Sequence, residues 1–154
     1  RDLGLVHFGS QALNSLRLEK AFGSWSREYR PIYGALEAGL DRFVSVSNRD
    51  FIGREAFQAE KAGGGKLRLR LFAVESPDAD AFGDEPIWHD GKVVGWVTSG
   101  GYGHTIGQSL ALGYLPKELA AAASGFEIEI IGERRAAKIL ERAPCDSEGA
   151  RMRS

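Results

Sequence analysis

The sequence predicts an α+β fold, in which a helical and mixed segment precedes a small antiparallel β-barrel of about six strands. The first observation is a change of period: apolar residues recur at helical spacing before Gly63-Gly64-Gly65 and at every second position after it. The second is that about six short strand patterns, separated by turn residues, fill roughly 75 residues beyond that point. We therefore predict one domain at 1–62, a β-barrel domain at 63–143 and an irregular tail at 144–154.

Composition and charge limit the function classes. The chain has 154 residues and a net charge of −1, so it has no general attraction to nucleic acid or to an anionic membrane. No apolar run approaches the roughly 18 residues that a membrane span needs. We therefore predict no nucleic-acid partner and no membrane partner. The single cysteine, Cys145, excludes an internal disulfide and indicates a reducing compartment, and a start at Arg1 rather than Met suggests a piece of a longer protein.

The first half is predicted to contain two helices. Ser10 is a good N-cap for a helix that ends by Gly23, and a second helix runs from Asp50 to about Ala62. Shorter elements are expected around them. They are a strand within 1–9, one helical turn at 34–39 and a strand at 42–46.

The second half alternates apolar and polar residues, which is typical of strands with one buried face. Asp90-Gly91 predicts a type I′ turn between two of these strands. Pro116 opens a predicted short helix that reaches Ala123. The predicted strands are 67–73, 87–89, 92–98, 109–115, 126–130 and 136–140.

Charged residues on two of these strands predict ion pairs between the strands. Arg68 and Arg70 face outward on the first strand of the barrel, and Glu127 and Glu129 face outward on the fifth. If the two strands are neighbours, cross-strand ion pairs add a few tenths of a kcal/mol each.

The helix around 12–20 carries apolar residues on nearly all sides, which predicts that several of its faces are buried. Arg17 lies in the middle of this helix, and a guanidinium there needs an anion, because an unpaired buried charge costs several kcal/mol. Two interpretations follow: a structural ion pair with a carboxylate, or an arginine whose planar fork is held ready for an anionic ligand. A carboxylate within about 3 Å of Arg17 would favour the first, and an open guanidinium would favour the second.

Other chemistry is incomplete in the sequence. The glycine-rich segment 99–107 has Ile106 where a dinucleotide motif requires glycine, and it lies between strands rather than before a helix. His7, His89 and His104 have no second ligand type at metal spacing, although His104 is a candidate for facing a cleft. We therefore predict no catalytic residue and no metal site in this chain.

Five motifs carry a resemblance to a known family. They are Ser15-Leu-Arg-Leu-Glu-Lys20, Leu36-Glu-Ala-Gly-Leu40, Asp50-Phe-Ile-Gly-Arg-Glu-Ala56, Val94-Gly-Trp-Val-Thr-Ser-Gly-Gly-Tyr-Gly103 and Ser109-Leu-Ala-Leu-Gly-Tyr-Leu115. In this order they resemble the second half of the glycine cleavage T-protein (aminomethyltransferase) family, over roughly residues 10–145. The first and fourth motifs are most similar to the folate-binding region of dimethylglycine and sarcosine dehydrogenases or oxidases.

The resemblance implies a cofactor and a site residue. In this family, tetrahydrofolate occupies a central hole and accepts a one-carbon unit from an aminomethyl or methylamine donor. The arginine of the Leu-Arg-Leu-Glu motif contacts the folate, so Arg17 is the predicted folate-binding residue, and 1–62 corresponds to the C-terminal end of the folate-binding domain. The family's catalytic aspartate and pterin-binding glutamate belong to a first half that this sequence lacks. The oxidising members also carry FAD, in a domain further upstream.

The predicted function is therefore a fragment of a tetrahydrofolate-dependent enzyme that transfers a one-carbon (aminomethyl or methyl) unit, acting in glycine-betaine, dimethylglycine or sarcosine demethylation or in glycine cleavage. The parent is expected to bind folate and a methylamine in the bacterial cytoplasm or the mitochondrial matrix, and the chain alone is expected to be inactive. The alternative is a non-catalytic β-barrel module that supports a folate domain or an oligomer interface. Relatives that use this fold for RNA modification or iron–sulfur repair rank last, because their motifs differ.

Because the first half of the family's module is absent from this sequence, we also predict that the chain associates with itself or rearranges its N-terminal part. The first helix is expected to lack packing partners, which exposes an apolar patch at Leu13, Leu16, Leu18 and Phe22. An exposed patch above a few hundred Å² favours binding to another protein surface. The sequence therefore predicts either a homodimer through the first helix or a rearrangement of the first 25 residues.

Overall fold

The computed structural model describes residues 3–47, 50–122 and 124–153. Within them the chain forms two α-helices and six β-strands. The helices are α1, Ser10–Glu19, and α2, Arg54–Gly63; the strands are β1, Leu67–Val74, β2, Pro86–His89, β3, Lys92–Gly103, β4, Gln108–Pro116, β5, Phe126–Ile130, and β6, Glu133–Leu140. Two short 3₁₀ helices lie at Asp41–Phe43 and Ala150–Met152.

The strands form a closed antiparallel barrel in the order β1-β4-β3-β2-β5-β6. This arrangement confirms the predicted α+β fold with a small antiparallel barrel. On β5 the period-two pattern fills the barrel interior: Phe126, Ile128 and Ile130 are almost fully buried, while the glutamates between them stay partly exposed. On β1 the faces are the reverse of the predicted ones, because Phe72 lies in the interior core while Leu71 packs against α1 outside it. Closure gives each of these strands a hydrogen-bonded neighbour on both sides, so the barrel has no free edge.

The β2–β3 hairpin forms as the sequence predicts. Asp90 and Gly91 have φ angles of 49° and 72°, and a type I′ turn requires a positive φ at both positions. Strand β3 continues to Gly103, beyond its predicted end at Thr98. Most of the glycine-rich segment is therefore strand, and only 104–107 connects β3 to β4.

Two glycines allow β3 and β4 to approach each other closely. A Cβ atom on Gly95 would lie 2.1 Å from the carbonyl oxygen of Tyr114, and one on Gly113 would lie 2.7 Å from that of Trp96. Backbone oxygens do not tolerate a carbon atom at these distances, so a larger residue at either position would force the strands apart.

Helix α1 packs on the outside of the barrel with one face only. Leu18 is fully buried against leucines of β1 and β4. On another face, the exposed fractions of Leu13 and Leu16 are 54% and 51%, and that of Phe22, just beyond the end of α1, is 44%. The prediction of a helix buried on several sides is therefore wrong for this chain, whereas three of the four residues in the predicted apolar patch are exposed.

Two predicted strands of the first half do not form. The part of 1–9 that the structure describes, residues 3–9, is irregular, and 42–46 is replaced by the 3₁₀ helix Asp41–Phe43 and an irregular stretch. A closed barrel offers no edge for either segment to pair with, which explains why neither becomes a strand. The helical turn predicted at 34–39 does form, since the Ala38 amide donates to the Gly34 carbonyl at 3.0 Å.

The helix limits differ from the predicted ones by a few residues. Helix α1 ends at Glu19 rather than near Gly23, because Ala21 takes a left-handed φ of 54° that the helix cannot continue through. Helix α2 begins at Arg54, after Gly53 at φ 93°, rather than at Asp50.

The predicted helix at 116–123 is wrong. Pro116 pairs with Leu67 as the last residue of β4, and the Lys117 amide donates to the Lys66 carbonyl at 3.0 Å. These bonds commit the backbone to the barrel, and successive turns follow at 117–121. Ala123 lies outside the described residues.

The predicted ion pairs between the first and fifth strands are also wrong, because β6 lies between β1 and β5. Glu127 instead faces Arg134 of β6 at 3.9 Å, and Glu129 accepts a hydrogen bond from the Trp88 indole at 3.0 Å. Arg68 and Arg70 donate to backbone carbonyls near the start of β1 and the end of β4.

Candidate functional site

A cleft of about 800 Å³ is lined by residues of the 20–42 segment, by 69–71 of β1, Leu112 of β4 and 120–122, and by the end of β6 and the residues that follow it. This volume is in the range of small-molecule sites. The residues that line it include four cations, the acidic residues Glu141 and Glu148, and several apolar groups. The cations are Lys20, Arg42, Arg70 and Arg142, and the others include Phe22, Tyr29, Leu40, Leu69, Leu71, Leu112, Ile139 and Leu140.

Arg70 is the half-buried cation of this cleft. Its Nε donates to the Ala120 carbonyl at 3.0 Å and its Nη1 to the Leu69 carbonyl at 2.9 Å. Among the residues that the structure describes, no carboxylate lies within 4.0 Å of its guanidinium. Burial, and then the nearby charge of Arg68, lower the pKa of Arg70 from its usual value. The cleft therefore holds a positive charge that carbonyl dipoles orient but do not neutralise.

The other cations of the cleft divide into two kinds. Lys20 and Arg142 are ion-paired, to Asp146 at 3.0 Å and to Glu148 at 3.6 Å. Arg42 stacks its guanidinium 4.8 Å from the centre of the Phe43 ring and, in the described part of the chain, has no carboxylate partner. An anionic ligand would therefore meet two cations that have no carboxylate partner of their own, beside an apolar wall that suits a flat ring, although Glu141 and Glu148 also line the cleft.

Arg17, the sequence-predicted site residue, is not among the side chains that line the cleft. Its Nη1 donates to the Phe22 carbonyl at 3.1 Å and to Glu28 Oε2 at 3.4 Å, and its Nη2 donates to Asn14 Oδ1 at 2.8 Å. Only 16% of its side chain is exposed. Burial lowers the pKa of Arg17, and the charge of Glu28 acts against that change. The guanidinium is thus largely occupied by partners within the chain.

Sequence reasoning missed Glu28, which is fully buried and carries the negative charge beside Arg17. Its Oε2 accepts from the Ser24 amide at 2.7 Å, and its Oε1 accepts from the Ser99 hydroxyl at 2.5 Å. Burial acts to raise the pKa of Glu28, but hydrogen bonds, led by that of Ser99, hold it below its usual value. A glutamate within a polar loop gives no sequence indication of such burial.

The histidines do not form a site. His104 is exposed and packs edge-on against Tyr102, outside the cleft. Nδ1 of His89 lies 2.9 Å from the Gly125 carbonyl oxygen, beside the hairpin turn. Within 3–47, 50–122 and 124–153, no three His, Cys, Asp or Glu residues cluster in a way that could hold a metal ion.

Of the helices that the structure describes, none combines the length and the apolar character needed to cross a membrane.

The barrel defines the class to which this chain belongs. Residues 68–146, just over half of the chain, match the model of the glycine cleavage T-protein C-terminal barrel domain. The chain is therefore a member of the glycine cleavage T-protein family, as the five motifs predicted.

The similarity to individual proteins also covers the helical segment that precedes the barrel. The chain is 42% identical to the mitochondrial dimethylglycine dehydrogenase of Mus musculus, over 99% of this chain and 18% of the relative. It is 34% identical to the mitochondrial sarcosine dehydrogenase of Mus musculus, over 97% of this chain and 17% of that protein. It is also 34% identical to an aminomethyltransferase of a Synechocystis species, over 90% of this chain and 37% of the relative.

The fold agrees with a solved structure of the same family name. The chain superposes on glycine cleavage system aminomethyltransferase T from Bartonella henselae with a TM-score of 0.81 and 21% identity, over 88% of this chain and 38% of that one. The chain spans less than a fifth of the two dehydrogenases and somewhat more than a third of the aminomethyltransferase.

Proposed function

We propose that this chain is the C-terminal part of a tetrahydrofolate-dependent one-carbon transfer enzyme that demethylates dimethylglycine or sarcosine, or cleaves glycine. The observation that carries the proposal is Arg70, a half-buried cation that lines an 800 Å³ cleft and has no carboxylate partner among the described residues. A folate joins aromatic rings to the carboxylates of a glutamate. Arg70 and Arg42 suit those carboxylates, and Phe22 and Tyr29 suit a ring.

This chain and the rest of the parent protein would have different roles in the reaction. When bound, tetrahydrofolate supplies the nitrogen that accepts the one-carbon unit. The residues of this chain would hold its carboxylate end and exclude water from the apolar wall, and we propose no catalytic residue among them. The methylamine substrate, and the FAD of an oxidising parent, are assigned to the parent protein. The relatives include mitochondrial proteins and one from Synechocystis, in agreement with the predicted mitochondrial or bacterial location.

Arg17 remains the folate-binding residue that the resemblance predicts. Its place outside the cleft lining supports an indirect contribution, because Glu28, Phe22 and Asn14 already accept its hydrogen bonds. The same ion pair supports the second candidate function, a non-catalytic barrel module, although its 3.4 Å length slightly exceeds the criterion of about 3 Å. The division into 1–62, 63–143 and 144–154 also remains a proposal.

Calorimetric titration with 5-formyltetrahydrofolate tests both candidate functions. We expect Arg70→Ala to weaken binding roughly 10- to 150-fold, because a hydrogen bond to a charged group contributes about 1.5–3 kcal/mol. Arg17→Ala is expected to weaken binding less, and Arg30→Ala, which removes a surface charge outside the cleft, to leave it unchanged. A folded wild-type chain that does not bind would contradict the folate site and favour the structural module.

We propose that a second copy of the chain covers the exposed face of α1 in solution. Leu13 and Leu16 are both more than half exposed on that face, and apolar side chains side by side on a helix favour association. Sedimentation velocity is expected to show a dimer that Leu13→Lys with Leu16→Lys converts to a monomer. Val93→Lys, at a residue of β3 that is 55% exposed, is expected to keep the dimer. A wild-type monomer at all concentrations would refute this proposal.

A further inference from the structure

We propose that Glu28 is a positioning residue for the cleft. Its buried carboxylate holds the 20–42 segment against the barrel and thereby positions Tyr29 and Arg42, which line the same cleft as Arg70, while Glu28 is buried and does not itself line the cleft. The part of this inference that concerns a ligand rests on the proposed folate site. The part that concerns the segment stands on the contacts of Glu28 alone.

The carboxylate joins two elements that are far apart in the sequence. One oxygen accepts from the amide and hydroxyl of Ser24, at 2.7 and 3.2 Å, and so closes the loop of the 20–42 segment on itself. The other oxygen accepts from the hydroxyl of Ser99 on β3 at 2.5 Å, across 71 residues of sequence. Such a charge-assisted hydrogen bond in a buried site is stronger than a neutral one.

The backbone of the same residue is attached to the next strand. The hydroxyl of Tyr114 on β4 donates to the Glu28 carbonyl at 2.7 Å. Burial raises the pKa of Tyr114 well above its usual value, so the hydroxyl keeps the proton that it donates. The Tyr114 ring stacks on Tyr33 at 4.0 Å between centroids, which ties a second point of the 20–42 segment to the barrel. Glu28 is thus held by its side chain to β3 and by its carbonyl to β4.

The attachment reaches the cleft through the next residue. Tyr29 lines the cleft, and its hydroxyl accepts from the Gly23 amide at 3.0 Å. A Cβ on Gly23 would lie 2.6 Å from the Tyr29 ring, so the ring has little space to move. Farther along, Glu37 accepts from the amides of Lys66 and Leu67, at 2.8 and 3.1 Å, which fixes the Arg42 end of the segment beside β1.

The test separates anchoring from ligand binding by measuring both. Amide hydrogen exchange of the whole chain reports the anchoring, and calorimetric titration with 5-formyltetrahydrofolate reports the ligand. The variants are Glu28→Gln, which removes the charge, and Ser99→Ala, which removes only the link to β3. The matched control is Ser109→Ala: this hydroxyl is also buried in the barrel, but among the described residues it has no hydrogen-bond partner.

We expect Ser99→Ala to speed exchange in 20–42 about tenfold, because one charge-assisted hydrogen bond is lost. Glu28→Gln is expected to speed it at least as much, because the donors from Ser24, Ser99 and Arg17 all lose the negative charge. Amides of β5 and β6 are expected to keep the wild-type rates, and affinity is expected to fall about tenfold without substitution of any cleft-lining residue. Ser109→Ala should change neither. Unchanged exchange in 20–42 would overturn the anchoring, and faster exchange with unchanged affinity would overturn the positioning role. If the wild type does not bind, the proposed function fails, while the exchange result alone still supports or overturns the anchoring.

Discussion

Gly95→Ala is expected to lower the free energy of unfolding by about 3 kcal/mol, because overpacking at a site that cannot relax costs this much or more. The added carbon would lie 2.1 Å from the Tyr114 carbonyl oxygen and 3.1 Å from a methyl group of Leu115. Both neighbours belong to β4, which is hydrogen-bonded to β1 and β3 and cannot move away without breaking the barrel. Urea unfolding followed by circular dichroism measures the effect.

Gly63→Ala is the matched control for this substitution. It adds the same methyl group at the end of α2, where nothing lies within 4 Å of the new atom. Alanine is a better helix former than glycine, so we expect a gain of about 0.5–1 kcal/mol. If the two substitutions changed the free energy of unfolding equally, the close approach of β3 and β4 would not contribute to the cost of Gly95→Ala.

Leu18→Ala is expected to destabilise the chain by about 3 kcal/mol. The side chain is fully buried between α1 and the outer face of the barrel, and its removal leaves a cavity among Leu71, Leu110 and Leu112. Leu16→Ala, on the same helix but 51% exposed, is expected to change the free energy of unfolding by no more than about 0.5 kcal/mol.

These two leucines test whether α1 is held by one face. The midpoints of urea unfolding should be measured at a concentration low enough to keep the chain monomeric. Leu16→Ala as costly as Leu18→Ala under those conditions would contradict the packing of α1 through a single face. A cost for Leu16→Ala that grows with protein concentration would instead support the proposed dimer.

The strands and the hairpin of the barrel were predictable because each is determined by residues that are close together in the sequence. Alternation places Phe126, Ile128 and Ile130 on one side of a strand whatever its neighbours are, and Asp90-Gly91 encodes a hairpin by itself. The order of the strands, by contrast, depends on contacts between segments that are far apart in the sequence. The predicted pairing of Arg68 and Arg70 with Glu127 and Glu129 failed because alternation says nothing of β6 lying between their strands.

The candidate site was less predictable for the same reason. The sequence indicated Arg17 because it is a cation in an apolar helix, and in the structure Arg17 pairs with the buried carboxylate of Glu28. Glu28 lies in a polar loop whose sequence does not indicate burial. Glu28 is recognisable only through Ser99 and Tyr114, which are 71 and 86 positions away. Alternation predicts that Arg70 faces outward, whereas Arg70 shares its face of β1 with Phe72 of the barrel core. Its place on the cleft depends on where the 20–42 segment lies in the fold.

The side-chain amide of Asn14 donates to the Gly100 carbonyl across 86 positions, and this separation has a consequence for the order of events during synthesis. At roughly 5–20 residues per second, a ribosome needs roughly 4–17 s to add the strand on which α1 docks after α1 itself has been made. Throughout that interval Leu18 lacks its native partners Leu110 and Leu112 of β4, and the barrel cannot close until β6 has followed. Among the described elements, helix α1 is therefore made first but is one of the last to reach its native contacts.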